Sequence, residues 1–157
     1  MKSGDYILRA FGLKLGLPDL EFDSYRMCQL KVEGLRLAIY DNRVKSCLTL
    51  FCEMTSPAMN DQELVAWHKL LFGAQFDFVH EETVVIGLNP TTDAMVAMSH
   101  IADEHVSLSL LSEKMNALID WVLNCSCQFA AQSMSVPTTL KPSSYQTDVR
   151  FSGVKYA

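Results

Sequence analysis

The sequence predicts an α+β fold of two layers, with a mainly antiparallel sheet. Three observations predict it. The inferred element order is helix, three strands, helix, two or three strands, long helix, which keeps the strands in runs rather than alternating them with helices. The first two strand patterns are joined by only Glu33-Gly34, too short for a parallel crossover. The last quarter of the folded part carries an apolar repeat of three and four residues, the period of a helix packed on one side.

Each element has a local reason. The first helix spans residues 4–16, with Ser3 able to cap it and Gly16-Leu17-Pro18 to stop it. The Leu20-Glu21-Phe22-Asp23 segment then leads into strands at 26–32 and 35–41. Asp41-Asn42 marks a turn into a third strand, 45–54, whose weak alternation predicts partial burial of both faces. Asn60 with Glu63 forms a capping box ahead of a second helix at 61–72, ended by Gly73. Strand patterns follow at 75–80, 83–88 and 94–101, with turns at Glu81-Glu82 and 89–93. The third helix covers 107–132 on the repeat Leu108, Leu111, Met115, Leu118, Val122, Cys125 and Phe129. These elements make one domain, residues 1–132. Residues 133–157 form a tail rich in Ser, Thr and Pro, readable as disordered or, over Tyr145, Thr147, Val149 and Phe151, as an alternating strand.

Composition narrows the function. A chain of 157 residues, 49% hydrophobic and 20% charged, has enough interior to fold without disulfides. Its formal net charge is -5, so nucleic acid and anionic membrane surfaces are poor partners. No apolar stretch approaches the ~20 residues of a membrane-spanning helix, and the charged N-terminal segment lacks a signal-peptide core. The expectation is a cytosolic protein with five free thiols, Cys28, Cys47, Cys52, Cys125 and Cys127.

No motif commits the chain to chemistry. His100 and His105 lie five apart, which does not place two ligands on one helical face, so no metal site is expected. Cys125-Ser126-Cys127 lacks a redox or zinc spacer, and its thiols point roughly 200° apart on a helix. The glycines are scattered, so no phosphate-cradling loop exists. Neither catalysis nor a cofactor is expected. The aromatics Trp67, Phe72, Phe76 and Phe78 read first as core, yet three helices and six strand patterns offer more apolar surface than so small a domain buries. Part of it is expected to meet a partner.

The opening helix closed by Gly16-Leu17-Pro18, the Leu20-Glu21-Phe22-Asp23 segment, the hairpin over 27–40 and the helical C-terminal end together resemble the class I type III secretion chaperones. The resemblance covers residues 1–132. It implies a homodimer in the bacterial cytoplasm, without ATPase activity, that binds the extended segment of a secreted effector. It also allows components of the secretion apparatus as partners. Under it the effector groove falls on Leu8, Phe11, Leu15, Leu30, Val32, Leu37 and Ile39, and the dimer interface on Leu64, Trp67, Leu71, Phe76 and Phe78. The physics agrees, because an added strand satisfies open backbone groups of a sheet edge. The tail departs from the family pattern, and its 145–151 strand could occupy the same groove. Two other readings are a small regulatory domain that recognises a folded partner and a thiol-dependent enzyme.

Overall fold

The computed structural model describes residues 3–54, 59–77 and 84–133. Helix α1 (Ser3–Lys14) leads into strands β1 (Met27–Val32), β2 (Leu35–Asn42) and β3 (Cys47–Met54). Helix α2 (Asp61–Asp77), strands β4 (Val85–Leu88) and β5 (Met95–Ala102), a short 3-10 turn (Asp103–His105) and helix α3 (Leu108–Ser133) complete the chain. The five strands form one sheet in the order β1-β2-β3-β5-β4, and every neighbouring pair is antiparallel.

The α+β class and the element order follow the sequence. The stop after α1 is a Schellman motif: Gly16, at φ +72°, donates to Leu13 O, and Leu17 N donates to Gly12 O at 2.7 Å. The hairpin loop places Glu33 and Gly34 both at positive φ, the geometry of a two-residue turn that matches the strand twist. The capping box of α2 closes in both directions: Asn60 N donates to Glu63 Oε2 and Glu63 N to Asn60 Oδ1. Ser107 Oγ accepts from Leu110 N and so caps α3.

Three expectations are corrected. Asp41 and Asn42 belong to β2, and the turn lies one step on, at residues 43–46, where Asn42 Oδ1 accepts from Lys45 N. Gly73 does not end α2; the helix continues to Asp77, because Ala74, one turn after the packed Leu70 and Leu71, still packs against the core. Residues 75–77 are therefore helical rather than the start of a strand, and the rest of that expected strand lies outside the described residues. The Ser3 side chain and the tail from 134 onward also lie outside them.

The three helices cover one face of the sheet. Strand alternation sends Cys28, Leu30 and Val32, then Leu37 and Ile39, then Leu48, Leu50, Cys52 and Met54 into that layer, and all are buried. Leu111, Met115, Leu118 and Val122 of α3 meet them from above. Each such side chain contributes roughly 1.5–3 kcal/mol through burial.

Candidate functional site

The surface around β1 is built from the turn that precedes it. Asp23 Oδ1 accepts from Tyr25 N and from Met27 N, while Asp23 N donates to Met27 O. This loop holds Arg26 at φ +63°, a left-handed backbone that costs a residue with a side chain about 1–3 kcal/mol. The guanidinium offsets that cost by bonding in two directions. It reaches Asp5 of α1 at 2.6 Å and Asp41 of β2 through Nε at 3.0 Å, and it lies 4.5 Å above the Phe22 ring. The hydrogen bond to Asp5 is the main cause that raises the Arg26 pKa further above its ordinary value. The buried Asp41 carboxylate also receives Arg43. This cluster ties α1 to the start of the sheet.

β1 is an edge strand, and its hydrogen-bond phase is fixed by its neighbours. Asp41 N donates to Arg26 O, so residues 26, 28, 30 and 32 point their backbone groups at β2. Those of 27, 29 and 31 point outward. Met27 is satisfied by the Asp23 loop, which leaves the N–H and C=O of Gln29 and Lys31 facing outward at the open edge, with no strand among the described residues beyond them. Beside this edge, the segment joining α1 to β1 leaves Leu15, Leu17, Leu20 and Phe22 only partly buried against the core.

The face of the sheet away from the helices carries no described element. Its outward side chains run in rows across the strands: Met27, Tyr40, Thr49 and His100; then Gln29, Ala38, Phe51, Met98 and Val85. A third row holds Lys31, Arg36, Glu53 and Val96, and a cleft of about 480 Å³ runs over these rows from Gln29 and Lys31 of β1 to Val96 of β5 and Asn89.

The structure redistributes the residues expected to bind partners. Leu8, Phe11, Leu30, Val32, Leu37 and Ile39 are at most 8% exposed and are spent on the core; only Leu15 is partly open. The physical reason is the strand period of two: the apolar members of β1 and β2 are those facing the helices. They form the floor beneath the edge rather than an open groove. On α2, Trp67 and Leu71 are likewise buried, Trp67 against Phe129 edge-to-face at 5.1 Å, whereas Leu64 and Phe76 are exposed. Phe78 lies outside the described residues. The Trp67 indole N–H is buried with no hydrogen-bond partner among the described residues.

Sequence reasoning expected a strand added to a sheet edge but left two features unplaced. The first is which backbone groups are open, those of Gln29 and Lys31, signalled by the polar phase of Met27-Cys28-Gln29-Leu30-Lys31-Val32. The second is the exposed apolar set Val65, Phe72, Val85 and Leu88, which joins Leu64 and Phe76 on α2 and β4.

The candidate chemical groups are kept apart. Cys52 and Cys125 are buried, and burial pushes their thiols up to about 12 and about 11. Cys127 is exposed on the other side of α3. His100 bonds Thr49 Oγ1 at 3.0 Å on the uncovered sheet face, while His105 lies in the 3-10 turn beside Glu104. Among the described residues, no three such side chains are placed to hold a metal ion, and no helix is long and apolar enough to cross a membrane.

The model of the Tir chaperone protein (CesT) family matches residues 6–124. No curated protein sequence matches the chain. Solved structures with a similar fold include the HopA1–SchA chaperone–effector complex, at 21% identity and a TM-score of 0.64, over 76% of this chain and 89% of that one. The ExsC–ExsE complex follows at 16% identity and a TM-score of 0.65, over 78% and 92%. The Yersinia pestis type III secretion chaperone SycH, in complex with a fragment of YscM2, aligns at 14% identity and a TM-score of 0.56, over 77% and 98%.

Proposed function

The chain belongs to the Tir chaperone protein (CesT) family, and from that premise we propose that it holds its client as an added strand on the open edge of β1. It is an effector-binding chaperone of type III secretion. The observation that carries the edge reading is the outward-facing backbone of Gln29 and Lys31 beside the partly buried Leu15, Leu17, Leu20 and Phe22. A client strand would pair with those backbone groups, and its alternate side chains would cover the apolar margin on one face and enter the cleft on the other.

Such binding needs no nucleotide, because the free energy comes from backbone pairing and apolar burial. It also suits an unfolded client segment, which presents a strand at no cost of unfolding a domain. The exposed set Leu64, Val65, Phe72, Phe76, Val85 and Leu88 fits a second copy of the chain, which makes the working unit a homodimer. The acidic body favours a soluble existence in the bacterial cytoplasm, where effectors await export.

The test is to purify the full chain from its own bacterial host, identify co-purifying proteins by mass spectrometry and digest the complexes with a protease. The proposal expects a secreted protein with one protected segment inside an otherwise cleavable region. A partner resistant along its whole length would instead support recognition of a folded protein.

A further inference from the structure

The same edge has a candidate occupant within the chain itself. We propose that residues 145–151 of the C-terminal tail add as a sixth strand to β1 of their own chain, and that a client must displace them.

Three observations lead there. The first is pattern. In β1 the inward members are Cys28, Leu30 and Val32, and the outward members beside the cleft are Gln29 and Lys31. The tail repeats that phase: Tyr145, Thr147, Val149 and Phe151 alternate with Gln146, Asp148 and Arg150. Laid along the edge, the first set extends the apolar margin of Leu20 and Phe22, and the second continues the polar row of Gln29 and Lys31.

The second is charge. Lys141, Arg150 and Lys155 against Asp148 give the tail +2, and with -5 overall residues 1–133 carry -7. The segment before β1 and the hairpin tip after it bring exposed Asp19, Glu21 and Glu33 to the strand's two ends. The strand itself is neutral, Asp148 against Arg150, so the attraction to that surround comes from Lys141 and Lys155 on its two flanks.

The third is reach. The described chain ends at Ser133 on α3, close to the contact of Phe129 with Trp67 and so on the α2 side of the helix layer. Crossing the sheet from one edge strand to the other takes four strand spacings, about 19 Å. The intervening residues 134–144 span up to about 36 Å when extended. Tethering keeps the local concentration of the strand in the millimolar range, enough for a weak pairing to hold.

Amide exchange by NMR on the full-length chain tests this without any client, so its outcome is independent of how effectors bind. Asp148→Pro together with Val149→Pro removes a backbone donor that faces β1 whichever way the tail strand runs, and leaves residues 1–133 untouched. In the native chain the Gln29 and Lys31 amides are expected to exchange at least about tenfold more slowly than in this double variant, equally at low and high protein concentration. The Met27 amide, already bonded to Asp23, should not change between the two. Equal exchange of Gln29 and Lys31 in both chains would overturn the proposal. So would protection that appears only at high concentration, which would mean a second copy's strand.

Discussion

Arg26 illustrates how one side chain settles the geometry of the β1 edge. Its guanidinium joins Asp5, Asp41 and the Phe22 ring, and its own backbone is held in the left-handed region. Arg26→Met keeps the length but removes the charge, leaving the buried Asp41, among the described residues, with the longer Arg43 contact at 3.5 Å as its remaining ion pair. We expect a loss of about 2–4 kcal/mol in urea unfolding, because one member of a largely buried ion pair is left unpaired. Cys52 makes a prediction about pH. Its thiol is pushed up to about 12 by burial, so the folded state keeps a proton that the unfolded chain releases near its ordinary value of 9.0. The raised native value therefore stabilises the fold fully below pH 9, and this contribution is lost as pH rises toward 12. Cys52→Ala should flatten the decline in stability above pH 9 relative to the native chain. An unchanged slope would show that Cys52 titrates alike in both states. None of this was legible in the sequence. Arg26 is one of several scattered arginines until the fold sets Asp5 and Asp41, 21 and 15 positions away, against it.

At the scale of the element, periodicity revealed most of the structure, and glycine was the ambiguous sign. The sequence placed α1, the hairpin and α3 within two residues of their bounds, because each has an unambiguous period and a local stop. Gly73 misled, since a glycine after an apolar repeat reads as a terminator while the packing of Leu70, Leu71 and Ala74 carries the helix through it. The two glycines give opposite predictions. A Cβ at Gly12 would meet Leu17 O at 2.5 Å and the Leu20 side chain at 2.6 Å, so Gly12→Ala should lower stability by about 1–3 kcal/mol. A Cβ at Gly73 meets nothing within 4 Å, so Gly73→Ala should raise it by about 0.5–1 kcal/mol through helix propensity. Thermal unfolding of both variants at one protein concentration checks the signs. The candidate site was only half legible at this scale. The sequence pointed to the first helix and early strands, but selected their inward side chains, whereas the open part is the backbone of the edge.

For the whole molecule, the two open apolar regions lie at opposite sides of the sheet order. The β1 margin is one side, and the α2–β4 surface is the other. Under the proposed assembly, that separation would let one protomer dimerise and bind a client at the same time. Exposed Phe72 and Phe76 are the large anchors of the second surface. Phe72→Glu with Phe76→Glu should give a folded monomer in sedimentation velocity at micromolar concentration, where the native chain is expected to sediment as a dimer. A native monomer would refute the proposed assembly. Sequence reasoning expected surplus apolar surface on α2 but not which of its side chains is open, because burial of Trp67 and exposure of Phe72 depend on which face α2 turns to α3.

The central claim is that a client pairs with the β1 edge, and proline substitution there tests it most directly. The N–H groups of Gln29 and Lys31 face away from β2, so Gln29→Pro and Lys31→Pro remove edge donors without cutting the ladder inside the sheet. The affinity of each variant for the co-purified effector, measured by titration calorimetry, should fall at least about tenfold, by the worth of the lost pairing, while thermal unfolding stays near that of the native chain. Native affinity in both folded variants would contradict the account and place the client elsewhere.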